Sequence, residues 1–167
     1  GMMVVALSGG VVPGKVVGTA PGANFILRHG EEGETEYVVE EDNWVAAAEL
    51  ADSAGADIIS TSLGYSDFDD KSQSHTYKEM DGNSTRITIG ADIAASKGML
   101  LVNSAGNSGD EPWKYITSPA DADSIITVGA CKVNKKRTKF SSLGPTSDGR
   151  IKPDVMALGL FPTIVTA

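Results

Sequence analysis

The chain has 167 residues, 41% of them hydrophobic, which is enough to bury the core of one globular domain. Its 22 acidic residues outnumber its 14 lysines and arginines, and the charge of −8 argues against a nucleic-acid partner, which requires a basic surface. No apolar run approaches the ~20 residues that cross a bilayer, so no membrane partner is expected. The single cysteine excludes an internal disulfide. Gly1 has the character of a residue left by tag removal, so the domain is expected to span residues 2–167.

The segment at residues 9–16, Gly-Gly-Val-Val-Pro-Gly-Lys-Val, nearly matches the phosphate-binding loop of nucleotide-binding proteins. That motif requires Ser or Thr at the position of Val16, where the hydroxyl holds magnesium. It also requires a following helix whose N-terminus faces the phosphates, and the Val-Gly-Thr-Ala-Pro-Gly that follows cannot form one. We therefore do not expect nucleotide binding. After this segment, the residues at 23–27 predict a short strand.

Two later segments each combine a helical pattern with a closing glycine and an immediately following strand. In the first, small and aromatic residues recur at helical spacing, Gly55 ends the helix, and residues 57–63 form the strand. The apolar positions of this helix are Trp44, Ala47, Ala48, Ala51 and Ala54. Alternation of helix and strand in this way is typical of an α/β fold with a parallel sheet.

The second segment repeats this order. Ser84 or Thr85 can cap the helix, and Ile89 and Ile93 form an apolar pair four residues apart. Gly98 ends the helix, as Gly55 does in the first segment. Further strands are predicted over residues 99–102, 125–128 and 154–157.

Residues 65–83 separate the first predicted strand from the second helix and are rich in polar side chains. The segment carries four aspartates, Asp67, Asp69, Asp70 and Asp81, and is predicted to be a surface loop. Carboxylates can bind calcium, but their spacing here does not match the EF-hand pattern. We therefore expect no convincing ion site in this loop.

Two strings in the second half of the chain carry the strongest functional signal. Residues 101–109, Leu-Val-Asn-Ser-Ala-Gly-Asn-Ser-Gly, begin as a hydrophobic strand and end in small residues around one amide, Asn107. Residues 140–155 run from Phe-Ser-Ser-Leu-Gly-Pro to Lys-Pro-Asp-Val and combine tight turns with polar positions. Together the two strings resemble the subtilisin-like serine proteases, the subtilases of peptidase family S8.

The resemblance implies roles for particular positions. The segment Thr61-Ser-Leu-Gly resembles the subtilase strand end that pairs with the substrate backbone and walls the specificity pocket. The residues before Asn107 resemble the opposite wall, and Asn107 itself resembles the amide that donates to the oxyanion of the tetrahedral intermediate. The alternative is that Asn107 only caps the chain after a strand. The substrate-binding residues implied are Ser62, Leu63, Gly64, Ser104, Ala105 and Gly106.

The catalytic triad is not recognised in the chain. Subtilases carry the histidine in His-Gly-Thr, the serine in Gly-Thr-Ser-x-Ser/Ala-x-Pro, and the aspartate on an earlier strand. His29-Gly30 is followed by Glu31 and comes after a predicted strand, so His29 is interpreted as a surface histidine. The resemblance therefore implies a parallel-sheet subtilisin-like core that is truncated at both ends. Without a triad the isolated chain is not expected to hydrolyse peptides.

Two functions follow from this interpretation. The favoured one is the middle portion of a subtilisin-like serine endopeptidase that acts on a peptide or protein substrate. By resemblance to the family, the full-length protein is expected to be secreted or held in the cell envelope, although no signal is recognised here. The alternative is a truncated pseudoprotease that binds an extended peptide or self-associates as a homo-oligomer through uncovered apolar surface. No cofactor is evident, and calcium is implied by the family resemblance alone.

Overall fold

The computed structural model describes residues 2–28 and 33–162, without the side chains of Met2 and Met3. Three α-helices and six strands are described, together with two short 3-10 helices between the third strand and the last α-helix. The elements in chain order are α1 (Met2–Gly9), β1 (Val11–Val12), β2 (Val16–Val17), α2 (Val39–Ser53), β3 (Ile58–Thr61), α3 (Arg86–Ser96), β4 (Leu100–Ser104), β5 (Ile126–Cys131) and β6 (Val155–Leu158).

Strands β3 to β6 form one parallel sheet in their chain order, which confirms the predicted α/β fold. The four strands predicted after residue 56 all overlap the observed ones. The register pairs Thr61 with Asn103 and Asn103 with Thr127. Because the strands are parallel, their carboxyl ends lie along one edge of the sheet, and the loops that follow them are neighbours.

Helices α2 and α3 pack against each other and cover one face of the sheet. Trp44 of α2, Ile87 and Ala91 of α3 and Leu101 of β4 belong to a single buried cluster. Both helices are followed, as predicted, by a glycine with a positive φ, which is 75° at Gly55 and 101° at Gly98. A side chain is strained in that conformation, and glycine is the usual residue where a helix ends in this way.

The structure shows which residue caps α3 and which way its apolar pair faces. Thr85 is the N-cap, and its hydroxyl oxygen accepts a hydrogen bond from the Thr88 main-chain nitrogen at 3.4 Å. Ile89 and Ile93 lie on the helix as a pair but face outward, with 43% and 53% of their surfaces exposed. Spacing alone placed them on one face of the helix, and the packing of α2 determines that the other face is the buried one.

Residues 9–17 form a β-hairpin. Strands β1 and β2 pair antiparallel, and the Lys15 nitrogen donates to the Val12 carbonyl at 3.0 Å across a turn in which Gly14 has a φ of 72°. A strand follows this turn, whereas a phosphate-binding loop requires a helix whose first nitrogens face the anion.

The strand predicted over residues 23–27 is wrong. Residues 23–28 form no ladder with any described strand, and Phe25, Ile26 and Leu27 are 42%, 60% and 55% exposed. A strand exists only where its main-chain groups pair with a neighbour, and a run of apolar side chains cannot supply that neighbour. The His29-Gly30-Glu31 string lies outside the described residues.

The segment 65–83 is not the simple surface loop that its polar residues predict. Tyr65, Phe68 and Met80 are each at most 1% exposed, and the first two join the core cluster with α2 and α3. His75 also points inward, with Nε2 2.6 Å from Oε1 of the buried Glu41 on α2. The segment is therefore anchored to the helices at separated positions, while its aspartates remain near the surface.

The face of the sheet opposite α2 and α3 is apolar and largely uncovered by the residues that the structure describes. Ile58, Leu100 and Ile126 are 59%, 44% and 36% exposed on this face, and Val102 and Val128 are half-buried. We call these five residues the open sheet face. Parallel sheets are ordinarily covered on both faces, so this one lacks half of its usual cover among the described residues.

Candidate functional site

Two of the segments singled out from the sequence lie side by side at the carboxyl edge of the sheet. Residues 62–64 follow β3, residues 105–107 follow β4, and Thr61 and Asn103 near these strand ends are register partners. Ser62 and Gly64 are exposed, Leu63, Ser104 and Gly106 are half-buried, and Ala105 is buried. The structure thus brings all seven predicted site residues to one region, although their roles in binding and catalysis stay predictions.

The main chain of residues 62–64 is available for pairing. Strand β3 is at an edge of the sheet, and no hydrogen bond links the nitrogens of Ser62, Leu63 or Gly64 to a described residue. An extended peptide binds to such an edge by adding a strand, with main-chain hydrogen bonds giving affinity and side-chain pockets giving selectivity. The geometry of this segment is therefore suited to holding an extended peptide.

Asn103 connects the two segments and was not predicted as a site residue. Its side-chain nitrogen donates to the Leu63 carbonyl at 3.5 Å and to the Ser104 carbonyl at 2.7 Å. The residue is 2% exposed, and its Oδ1 atom has no hydrogen-bond partner among the described residues. It lies inside the string at 101–109, and its position as a polar residue at the end of an apolar run is the signal that could have drawn attention to it.

Asn107 is exposed at the tip of the loop after β4, directly after Gly106, whose φ is 102°. The structure gives its side chain no hydrogen bond to any residue that it describes, so the amide is available as a donor. A fixed donor that faces developing negative charge stabilises a transition state more than a ground state.

The string at 140–155 supports this loop from behind. The Ser142 nitrogen donates to the Gly106 carbonyl at 3.1 Å, and the Ser142 hydroxyl oxygen accepts from the Ser108 nitrogen at 3.0 Å. The Gly109 nitrogen also donates to the Phe140 carbonyl at 2.8 Å. The string then turns and leads into β6, which overlaps the strand predicted over residues 154–157. Ser142 itself was not singled out from the sequence.

Thr117 is a second contact that sequence reasoning missed. It is 4% exposed, and its hydroxyl lies against Gly64 of one segment and Gly106 of the other. No pattern around residues 116–119 distinguishes this threonine from an ordinary loop residue, since its place depends on the tertiary fold.

A serine, a glutamate and a histidine meet elsewhere in the molecule, but their order does not suit catalysis. Glu41 lies in the centre, 2.6 Å from His75 Nε2 and 3.5 Å from the Ser118 hydroxyl. Burial opposes the charged form of His75, but the hydrogen bond to Glu41 and the charges of Glu41, Glu79 and Asp121 outweigh it and raise the pKa of His75 above 6.5. In a catalytic triad the histidine must contact the serine, so we interpret this group as structural.

Within residues 2–28 and 33–162, no three His, Cys, Asp or Glu side chains are grouped closely enough to hold a metal ion. None of the helices described there is long and apolar enough to cross a bilayer.

The sequence profile of the subtilase family of peptidases matches residues 1–164, which is nearly the whole chain. The chain belongs to the subtilase family. Serine protease AprX of Bacillus subtilis is 31% identical over 93% of this subtilase chain and 36% of its own length. Subtilisin DY of Bacillus licheniformis is 32% identical over 71% of the chain and 38% of its own length. Subtilisin-like protease 1 of Arthroderma otae is 31% identical over 83% of the chain and 26% of its own length. The chain thus spans about a quarter to two fifths of these curated relatives.

Solved structures give the same fold. The patellamide maturation protease PatA superposes with a TM-score of 0.67 at 22% identity, over 95% of this subtilase chain and 52% of PatA. The epidermin leader peptide processing serine protease EpiP of Staphylococcus aureus superposes with a TM-score of 0.63 at 21% identity, over 94% of the chain and 38% of EpiP. At these identities the likeness extends to the fold alone.

Proposed function

We propose that this subtilase segment supplies the oxyanion donor and the substrate-pairing strand of a serine endopeptidase of the subtilisin type. The observation that carries the proposal is the juxtaposition of residues 62–64 with Asn107 at one edge of the sheet. One segment offers main-chain nitrogens without a described partner, along which a peptide can extend. The other offers a side-chain donor beside the path of that peptide.

Each part has a chemical task in this proposal. The substrate backbone pairs with residues 62–64, and this pairing fixes the position of the scissile carbonyl. When a serine oxygen attacks that carbonyl, negative charge develops on the carbonyl oxygen. The Asn107 amide donates a hydrogen bond to this oxygen and lowers the barrier. The hydrogen bonds from Ser142 to the loop reduce the movement of Asn107 while charge develops.

The isolated chain is proposed to be inactive. Peptide hydrolysis by this family requires a serine and a histidine in contact, and the subtilase strings that carry them are not recognised in the sequence. A donor amide without a nucleophile retains little catalysis. Export of the full-length protein and calcium binding belong to the same proposal and have support only from the family.

A second candidate function is non-catalytic binding of an extended peptide. It is favoured by the same main-chain nitrogens of residues 62–64, which have no hydrogen bond to a described residue and need no triad in order to pair with a peptide. Reading the coding sequence on both sides of this segment distinguishes the two functions. In-frame His-Gly-Thr upstream and Gly-Thr-Ser-x-Ser/Ala-x-Pro downstream indicate the protease, whereas a start codon at Met2 and a stop codon after Ala167 indicate the binding module.

Strand pairing itself is tested with the purified chain and a fluorescently labelled hexapeptide. Binding is followed by anisotropy, and cleavage is followed by mass spectrometry. We expect binding without cleavage. Methylating alternate peptide nitrogens should abolish binding when they face residues 62–64 and preserve binding when the other set is methylated, because successive residues of a strand point in opposite directions. Equal binding of both methylated peptides would exclude strand pairing, and cleavage by the chain alone would show that it is not inactive.

A further inference from the structure

The basic residues of this acidic chain are concentrated in one segment. Residues 132–139, Lys-Val-Asn-Lys-Lys-Arg-Thr-Lys, hold five of its 14 lysines and arginines, and no acidic residue occurs between Asp123 and Asp148. The other residues hold nine basic side chains against 22 acidic ones. The segment is therefore a local positive patch on a protein whose overall charge is −8.

The segment forms a tight hairpin, which we call the basic hairpin (residues 132–139). An antiparallel bridge closes its base, and the Lys132 nitrogen donates to the Lys136 carbonyl at 2.8 Å across it. The Arg137 guanidinium donates to the Ser141 carbonyl at 2.7 Å. This cation therefore helps to hold the shape of the hairpin, and the lysines are the cations that remain for a partner.

The lysines of the basic hairpin have no acidic partner among the described residues. Lys132, Lys135, Lys136 and Lys139 are exposed, and none forms an ion pair with a described carboxylate. Lys132 and Lys136 lie opposite each other across the hairpin, where like charges are unfavourable. Carboxylates brought by another molecule would relieve this repulsion.

The basic hairpin borders an edge of the parallel sheet. Strand β6 is at the opposite edge from β3, and no described strand pairs with its outer side. Met156 and Leu158 of β6 are 43% and 48% exposed. They line one open groove together with Cys131, Lys132, Val133 and Lys135. A free strand edge, apolar side chains and cations are thus side by side.

We propose that the outer edge of β6 and the basic hairpin bind an acidic, extended segment of a partner protein. The segment adds to β6 as a further strand through main-chain hydrogen bonds, as peptides do at exposed sheet edges. Its apolar side chains contact Met156 and Leu158, and its carboxylates pair with the lysines of the hairpin. The site is at the other end of the sheet from residues 62–64 and does not depend on the proposed function.

The combination of features favours a peptide over a polyanion. Nucleic acids and sulfated glycans bind proteins mainly through their regularly spaced charges. They would meet the same lysines, but they gain nothing from an unpaired strand edge or from exposed methionine and leucine side chains. A peptide with alternating acidic and apolar residues uses all three, because its successive side chains point in opposite directions.

Binding is tested with the purified chain and a labelled Glu-Val-Glu-Leu-Glu-Val peptide, followed by fluorescence anisotropy. The Lys-Val-Lys-Leu-Lys-Val peptide is the comparison. We expect the acidic peptide to bind at least about fivefold more tightly, and the preference to shrink as salt is added, because exposed charges are screened. Methylating the peptide nitrogens that face β6 should abolish binding, whereas methylating the alternate nitrogens should preserve it.

Two double variants with the same change in net charge locate the site. Lys135→Glu with Lys136→Glu should weaken binding of the acidic peptide by about tenfold. Lys15→Glu with Lys78→Glu alters exposed lysines that do not line the groove, and should change the affinity by no more than about twofold. Urea unfolding shows that each variant is folded. The comparison also separates this site from residues 62–64, which contain no lysine.

Four results would overturn the proposal. Equal losses of affinity in the two double variants would mean that the basic hairpin does not select the peptide. Equal binding of the two methylated acidic peptides would exclude strand pairing at β6. Tighter binding of a heparin fragment than of the acidic peptide would identify a polyanion surface. If the acidic peptide does not bind to folded wild type, the lysines only protect the strand edge from aggregation.

Discussion

Asn103 and Leu63 are 40 residues apart in the sequence, and the side-chain amide of Asn103 donates to the Leu63 carbonyl at 3.5 Å. The same amide donates to the Ser104 carbonyl at 2.7 Å. One buried side chain therefore joins the end of β3 to the end of β4. This link holds the two candidate substrate segments at a fixed separation.

Replacing Asn103 by alanine should loosen the link. The Asn103→Ala variant leaves two carbonyl groups without a donor, and we expect a loss of about 1–3 kcal/mol in the free energy of unfolding. Peptide binding along residues 62–64 should weaken as well. Asn83→Ala is the matched control, because the Asn83 side chain is exposed and donates to the Asp81 carbonyl at 3.4 Å. Its loss should stay within about 0.5 kcal/mol in urea unfolding. Equal losses of unfolding free energy in the two variants would mean that the Asn103 hydrogen bonds contribute no more to stability than an exposed one.

Gly106 combines a strained conformation with close neighbours. Its φ is 102°, and an added Cβ would lie 2.8 Å from Ser142 Oγ and 3.1 Å from Thr117 Oγ1. Gly98 has nearly the same φ, 101°, with no atom near the added Cβ within 4 Å. Gly98→Ala should therefore cost about 1–2 kcal/mol for the backbone alone. Gly106→Ala should cost about 1–3 kcal/mol more, because Ser142 must move. Denaturant unfolding of both variants measures the difference, and a difference of zero would refute the close packing.

The His75–Glu41 pair should make stability depend on pH. Since the pKa of His75 is raised above 6.5 in the folded state, its contribution is fully present below about pH 6.5 and is lost as the pH rises through the raised pKa. The free energy of unfolding should therefore fall across this interval in wild type relative to His75→Gln. Urea unfolding at a series of pH values gives the difference.

The chain provides a direct control for this pH effect. His29 is the only other histidine in the sequence, so His29→Gln should retain the wild-type fall in stability. If His75→Gln and wild type change in parallel from pH 6 to pH 9, the buried pair does not set the dependence.

The open sheet face should cause the isolated chain to self-associate, because exposed contiguous apolar surface favours burial against another copy. Ile58 and Leu100 are register partners on this face. The paired change Ile58→Lys with Leu100→Glu should therefore shift the light-scattering mass toward the monomer. Ile93→Lys alters an equally apolar but separate site on α3 and should have less effect. A wild-type mass equal to the monomer at all concentrations would contradict self-association.

The regular elements were predictable because their signals are local. Helices α2 and α3 each show apolar spacing and a terminal glycine, and the strands after Gly55 and Gly98 follow at once. The parallel sheet follows from that alternation. Residues 23–27 have strand-like composition but no partner among the described strands. Pairing depends on a second segment, which the sequence of the first does not reveal.

The candidate site was predictable only where its residues form strings. Residues 62–64 and 104–107 stand out as strings of mostly small residues at strand ends. Asn103 and Ser142 lie inside the two strings but were not singled out, and Thr117 lies outside both, because the contacts of all three with the site depend on the tertiary fold. The anchoring of residues 65–83 was missed for a related reason, since its three buried apolar side chains are separated by polar ones and have neither helical nor strand periodicity.

The hydrogen bonds between the Asn107 loop and the string at 140–155 have a consequence for biosynthesis. Ser142 lies 34 residues after Ser108, to which it bonds, so it is added to the growing chain well after Asn107. Proteins are made from the N-terminus, and a nascent chain that stops before residue 140 lacks the support for this loop. Asn107 therefore acquires its fixed position late in synthesis. For the same reason, residues 101–109 grafted alone onto another protein would not carry the geometry of the donor with them.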